Sequence, residues 1–321
     1  MSEPRLQLIV GKGGVGKSTV AAAIALAEAQ RGSRVLALEL GRPGGLASIF
    51  GRVPPDAGVP VEVRPRLWIS YVEGEAALAE YLELVVPIRR LLAAVFTSRI
   101  YRFFVAAAPG LRELMTIGKI WYEFDRKDVN GRPMWDRLVV DAGASGHSLQ
   151  YLQMPGTAAQ TFTVGLVHRE ATRVEALLKD AAETAVHVVA IPEEMPVAEA
   201  LEIVAKLRND LQLPLGRVFL NRCREELPAG AAEFAERLGT IRAPADASFN
   251  GVPASTLVDG VRTAVDRALA WDSVQRRSVE MLTQGCQAEI VRLPLVVAEE
   301  FGLQEVEGLA ALIDTDAEDA K

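Results

Sequence analysis

Two lysines stand within a run of glycines near the start of the chain, in Gly11-Lys12-Gly13-Gly14-Val15-Gly16-Lys17-Ser18, followed by Thr19. The run fits G-x-x-x-x-G-K-[ST], a loop whose backbone N–H groups converge on the α- and β-phosphates of a nucleotide. Its glycines place no Cβ in the way of that approach. Lys17 is suited to reach the β- and γ-phosphates, and the Ser18 hydroxyl to ligate Mg2+. Gly11, Gly13, Gly14, Val15, Gly16, Lys17, Ser18 and Thr19 are therefore candidates for holding ATP or ADP.

Asp141 is a second candidate. It closes the aliphatic run Arg137-Leu138-Val139-Val140, and a strand ending in Asp carries a carboxylate to Mg2+ directly or through water. Glu39 lies in another aliphatic run, Arg34 to Leu40, on the same side of a strand as residue 41. Asn221-Arg222 end a third run, and an amide can both donate to and accept from the edge of an adenine.

The elements that must position these residues follow from apolar patterning. Leu6, Leu8, Ile9 and Val10 predict a buried strand, and Thr19 to Gln30 predicts a helix whose positive end, near Lys17, adds to phosphate attraction. Gly32 suits the helix C-cap, and the strand over Arg34 to Leu40 completes a right-handed, parallel βαβ unit. A nucleotide site would lie at the C-terminal edge of such a sheet. Val61 to Val72 reads as extended and broken by Pro65, which predicts an edge position. Further strands are expected at Arg137 to Asp141, Ala185 to Ile191, Leu215 to Leu220 and Glu289 to Leu293. Helices are expected from Thr157 to Thr184, from Pro196 through Leu211, at Ala231 to Leu238, at Thr263 to Gln284 and from Leu309. Turns are expected at Asn130-Gly131 and Asn250-Gly251. Glu75 to Phe124 is helical in pattern, divided at Pro87 and Pro109-Gly110 and punctuated by Arg89, Arg90, Arg99, Arg102 and Arg112. The fold class is thus α/β, a doubly wound and mostly parallel sheet of the P-loop NTPase type. Residues 1–321 form one domain with a helical insertion at 75–125 and an acidic, disordered tail at 314–321.

Composition limits the function. A net charge of −7 argues against a generally basic nucleic-acid binder. Cys223 and Cys286 form neither a CxxC pair nor a ligand set with His, so neither zinc nor a disulfide framework is indicated. The start, MSEPRLQL, shows no signal peptide, and no apolar run approaches the ~20 residues of a membrane span, so the expected compartment is the cytoplasm.

Lys12 is not needed by an ordinary phosphate loop and resembles the deviant loop of the ArsA/MinD/ParA group of ATPases. Asp141-Ala142-Gly143-Ala144-Ser145-Gly146-His147-Ser148-Leu149 resembles the second switch, D-T-A-P-T-G-H-T-L, of the arsenite-transporting and tail-anchored-protein-targeting branch. Asp141, Gly146, His147 and Leu149 match, while Ala142 and Ala144 replace Thr and Pro. Pro192-Glu193-Glu194-Met195-Pro196-Val197-Ala198-Glu199 is similar to that branch's P-E-x-x-P-V-x-E, Asn221-Arg222 to an element whose Asn reads adenine, and Leu293-Pro294 to a loop that flanks it. The chain is identified on these motifs as an ArsA-like ATPase.

The resemblance implies a face-to-face dimer in which Lys12 crosses to the partner's nucleotide and, with Lys17, Glu39 and Asp141, serves catalysis. The dimer is a homodimer or a heterodimer with a paralogous ATPase. The insertion, including an Ala108 to Phe124 segment with Lys119 and Trp121, either presents a surface to a hydrophobic client segment or packs on its own domain. His147 would relay nucleotide state or serve structure alone. The first switch departs from T-D-P-A-H-N-L-x-D-A-F, since Gly41 stands where its first Asp belongs. Either Glu39 takes over the positioning of water, or hydrolysis is slow, or a partner subunit supplies the competent site. A non-hydrolysing regulatory subunit and a ParA/MinD-like positioning ATPase are the alternatives.

Overall fold

The computed structural model describes residues 3–85, 110–143, 148–242 and 247–319. An eight-stranded sheet forms its centre, in the order β10-β7-β6-β1-β5-β2-β4-β3. The strands are β1 (Leu6–Gly11), β2 (Val35–Leu40), β3 (Val61–Arg64), β4 (Leu67–Val72), β5 (Arg137–Asp141), β6 (Thr184–Ala190), β7 (Leu215–Cys223) and β10 (Ile290–Pro294); a separate two-residue hairpin joins β8 (Ser248–Phe249) to β9 (Val252–Pro253). All sheet neighbours are parallel except β3 with β4. Pro65 falls between these two, and β3 lies at the edge where its lost N–H costs least.

Alternation along each strand builds two cores. Ile9, Val35, Ala37, Val139, Val189 and Phe219 face one side, where α1 (Lys17–Gln30), α2 (Gly45–Phe50) and α10 (Leu303–Asp319) pack. Leu8, Val10, Leu36, Leu38, Val140 and Val188 face the other. That side is covered by α3 (Gly74–Val85), α4 (Leu111–Asp125), α5 (Ser148–Thr161), α6 (Leu166–Lys179), α7 (Glu194–Ala205) and α9 (Ala254–Cys286). Helix α8 (Ala231–Thr240) packs on α9. The alanines of α1 are buried on nearly every side, which lets the helix lie between the sheet and α10.

Several boundaries differ from expectation. Helix α5 begins at Ser148 and runs through Pro155, because Leu152, Pro155 and Ala158 share one buried face whose packing outweighs the lost hydrogen bond. The helix expected to continue to Leu211 ends in a wider π turn, Lys206–Leu211, around buried Leu207. Helix α9 starts at Ala254, nine residues before the expected Thr263. The tail is helical through Asp319 rather than disordered, since Val306, Leu309, Ala310 and Ile313 anchor α10 in the core and the helix propagates from there. Of the helical insertion, α3 and α4 are described. The expectations at Pro87, Arg89, Arg90, Arg99, Arg102, Pro109, Ala144, Ser145, Gly146 and His147 lie outside the described residues.

A buried polar pair holds the sheet at β6 and β7. Two residues of β7, Gly216 and Arg217, oppose His187 at a bulge, and the Arg217 N–H donates 2.9 Å to His187 Nδ1 in place of a carbonyl. The other ring nitrogen lies 3.2 Å from Gln7 Oε1. Burial and nearby Arg217 push the imidazole pKa from 6.5 down to about 3. Between those values the unfolded chain binds a proton that the native chain refuses, so stability falls as pH falls through that window. From pH 7 to pH 4.5 the wild type should lose about 2–3 kcal/mol more than His187→Gln, as read from guanidinium unfolding at both pH values. Equal losses would assign the acid sensitivity to other groups.

Candidate functional site

Strand β1 ends at Gly11, and the glycine-rich run turns directly into α1, so the loop lies at the C-terminal edge of the sheet. Gly16 is the residue before α1, with φ +94°, and a Cβ there would fall 2.2 Å from Asn221 Nδ2. Only glycine fits that position. Asn221, buried in β7, donates from Nδ2 to the Val15 carbonyl at 2.9 Å, and its Oδ1 accepts the Arg222 N–H at 3.0 Å. Its amide is thus engaged by backbone at both ends and clamps the phosphate loop.

Lys17 is buried, and its ammonium donates 2.8 Å to the Lys12 carbonyl, curling the loop around it. Burial lowers the Lys17 pKa, with Asp141 opposing the shift. The Ser18 hydroxyl donates to Asp141 Oδ2, and the Gly143 N–H donates 3.2 Å to Oδ1. Asp141 has no exposure to solvent; burial raises its pKa, while Ser18, Gly143 and Lys17 counter it. Adjacent hard oxygens on Ser18 and Asp141 suit Mg2+, which takes few protein ligands and fills its shell with phosphate and water. Among the described residues no three His, Cys, Asp or Glu side chains could hold a metal by themselves.

Glu39 pairs in register with Asp141 on neighbouring β5. Its two oxygens accept the Gly44 N–H at 3.0 Å and the Gly45 N–H at 2.7 Å, capping α2. Burial raises the Glu39 pKa, and these backbone bonds oppose the rise. Gly45 in turn lies against the phosphate loop: a Cβ on it would fall 2.3 Å from Ser18 Oγ. Gly41, in the place of the missing Asp, has φ +100°, so a side chain there would be strained.

Lys12 is half-exposed, and its ammonium pairs with Glu199 of α7 in the same chain. The second Glu199 oxygen is buried without a hydrogen-bond partner. Lys119 lies elsewhere, paired with Glu80 at 2.7 Å and Glu123 at 3.3 Å beside an apolar pocket of about 200 Å³ between α3, α4 and α6, which Trp121 also lines. Beyond Asn221, a pocket of about 110 Å³ is walled by Pro192, Glu193, Arg222, Trp271, Gln275 and Leu295, the residue after Pro294. Trp271 and Gln275 were not singled out in the sequence. Both sit on α9, and Gln275 exchanges two hydrogen bonds with the Arg224 backbone, at 2.8 and 2.9 Å. A long-range contact of this kind leaves no local signal.

Comparison with known proteins shows the family of the chain. The sequence pattern of the Anion-transporting ATPase family, ArsA_ATPase, matches residues 5–170. The chain belongs to the ArsA-like ATPase family. It is 31% identical over 303 residues to ATPase BagA of Mycobacterium tuberculosis, covering 88% of each chain. It is also similar to Protein Rv2184c of the same organism, at 28% over 64% of this chain and 56% of that one. The arsenical pump-driving ATPase of Escherichia coli matches at 25% over 48% of this chain and 26% of its own length. Nucleotide binding of the ATPase type follows from membership. Among the described residues no helix is long and apolar enough to cross a membrane.

Asn221→Ala would strip the Val15 carbonyl of its buried partner. The expected outcome is a loss of about 1–3 kcal/mol in denaturant unfolding without nucleotide, together with weaker ATP binding. Unchanged unfolding would show that the clamp contributes nothing.

Proposed function

We propose that this ArsA-like ATPase is a Mg·ATP-dependent dimeric switch whose nucleotide state moves α2. The observation that carries the reading is the continuous contact from Asp141 to Ser18, from Ser18 to Gly45, and from Gly45 to Glu39. Ser18 and Asp141 would hold Mg2+, and the ion would supply charge compensation for the phosphates when bound. Nucleotide binding that draws Ser18 away from Asp141 would shift the surface on which Gly45 rests. Glu39 then acts as a positioning residue, coupling that shift to the start of α2. The nucleobase would occupy the pocket beyond Asn221, beside Arg222 and Trp271, with Leu295 and Pro294 at its margin. The helical elements α3 and α4 would present the client surface.

A regulatory, non-hydrolysing subunit is favoured by a different observation. Each Glu39 oxygen already accepts a backbone N–H, and Gly41 offers no carboxylate, so the site lacks an uncommitted acid to orient a water. ATP turnover with Mg2+, measured together with mass in ATP and ADP, separates the two. Turnover by a dimer, cut at least tenfold in Glu39→Gln with ATP affinity retained, supports the self-sufficient switch; tight binding without turnover supports the regulatory subunit.

The dimer requires Lys12 to leave Glu199 for the partner's nucleotide. In Glu199→Gln that pair is weakened, so ATP-dependent dimerisation should occur at several-fold lower protein concentration. The gain should disappear in a Lys12→Ala background. A gain that persists without Lys12 would sink the cross-dimer role, and sedimentation of the four chains in Mg·ATP reads it directly.

A further inference from the structure

Trp271 is an aromatic side chain held in place by its surroundings. It lies one helical turn before Gln275 on α9, so the two share a face of that helix. Gln275 Oε1 accepts the Arg224 N–H at 2.8 Å and its Nε2 donates 2.9 Å to the Arg224 carbonyl, which fastens that face just past the end of β7. The Arg224 guanidinium then lies over the indole, 4.6 Å from the ring centroid. Trp271 nevertheless keeps 40% of its surface exposed, and it lines the pocket beyond Asn221 together with Arg224. A fixed indole and a guanidinium plane at one pocket are surfaces on which a nucleobase stacks.

The same wall offers little that reads a base by its edge. Asn221, whose amide suits that task, is not part of the wall: it is buried, bonded to the Val15 carbonyl and the Arg222 N–H, and set against Gly16, where a Cβ would fall 2.2 Å from its Nδ2. Gln275 does line the pocket, yet each end of its amide already holds a partner on the Arg224 backbone. A site strongly rejects the wrong base when that base leaves a buried polar group of the site unpaired. Among the described residues, no buried side-chain polar atom that lacks a hydrogen bond lies in this wall. Its charged side chains, Glu193, Arg222 and Arg224, are all exposed, so water satisfies them where a base does not. They also suit either purine: a carboxylate accepts from N6 of adenine or from N1 and N2 of guanine, and a guanidinium donates to N7 of both.

We infer that the pocket holds its nucleobase by the face, on Trp271 and Arg224, and that the chain takes purine nucleoside triphosphates with little discrimination between adenine and guanine. Trp271 is the base-binding residue, and Gln275 is the positioning residue that fixes it. This rests on the reading that the pocket beyond Asn221 receives the base, and deepens it by naming the substrate class.

The test measures the affinity of the full chain for Mg·ATP, Mg·GTP and inorganic tripolyphosphate by calorimetry, in wild type, Trp271→Ala and Trp271→Phe. In wild type, ATP and GTP should bind within about fivefold of each other. Trp271→Ala should weaken both alike, by about fivefold or more, and leave tripolyphosphate within about twofold. Trp271→Phe keeps a stacking face and should restore most of the loss. A loss in Trp271→Ala that extends equally to tripolyphosphate assigns the residue to the fold and overturns its stacking role. GTP bound more than about fivefold more weakly than ATP, with ATP still dependent on Trp271, overturns the relaxed base choice alone and leaves the base in the pocket. ATP and GTP affinities that Trp271→Ala leaves unchanged remove the base from this pocket and overturn both readings.

Discussion

A carboxylate kept from water organises this molecule. Asp141 stands at the end of a central strand with no solvent exposure, where an isolated charge would be costly. Ser18, the Gly143 N–H and the nearby Lys17 ammonium offset that cost. The compensating groups belong to the start of α1 and to the turn after β5. The carboxylate is therefore most comfortable when the phosphate loop, the start of α1 and the turn after β5 are in register.

From that point the connections run outward in two directions. Toward β2, Ser18 rests on Gly45, and Gly45 is hydrogen-bonded to Glu39, so the start of α2 is tied to the loop through steric contact and a helix cap. Toward β7, Asn221 grips the Val15 carbonyl, and beyond it Gln275 ties the long helix α9 to the Arg224 backbone. The loop edge of the sheet is thus joined to α2 on one side and to α9 on the other.

Much of the fold was legible because the signals are local. Aliphatic runs five to seven residues long gave the strands, and Pro65 between two of them marked the edge. Strong tertiary packing overrode weaker local signals elsewhere. Pro155 lies within a helix because its face is buried, and the acidic C-terminal segment stays helical because Val306, Leu309 and Ile313 hold the turns before it. For the site, the glycine-rich loop and Asp141 could be read from spacing. The partners of Glu39, Lys12 and Asn221 could not.

The sequence by itself determined an α/β fold, the glycine-rich loop between β1 and α1 and the acid that ends β5, since each depends on residue type within a few positions. Only the tertiary structure decided that Glu39 caps α2, that Lys12 rests on Glu199, that Asn221 spends its amide on the loop and that Trp271 borders the pocket. These contacts join residues from 5 to 206 positions apart, and where the chain must cross the sheet to bring them together no periodicity records the meeting.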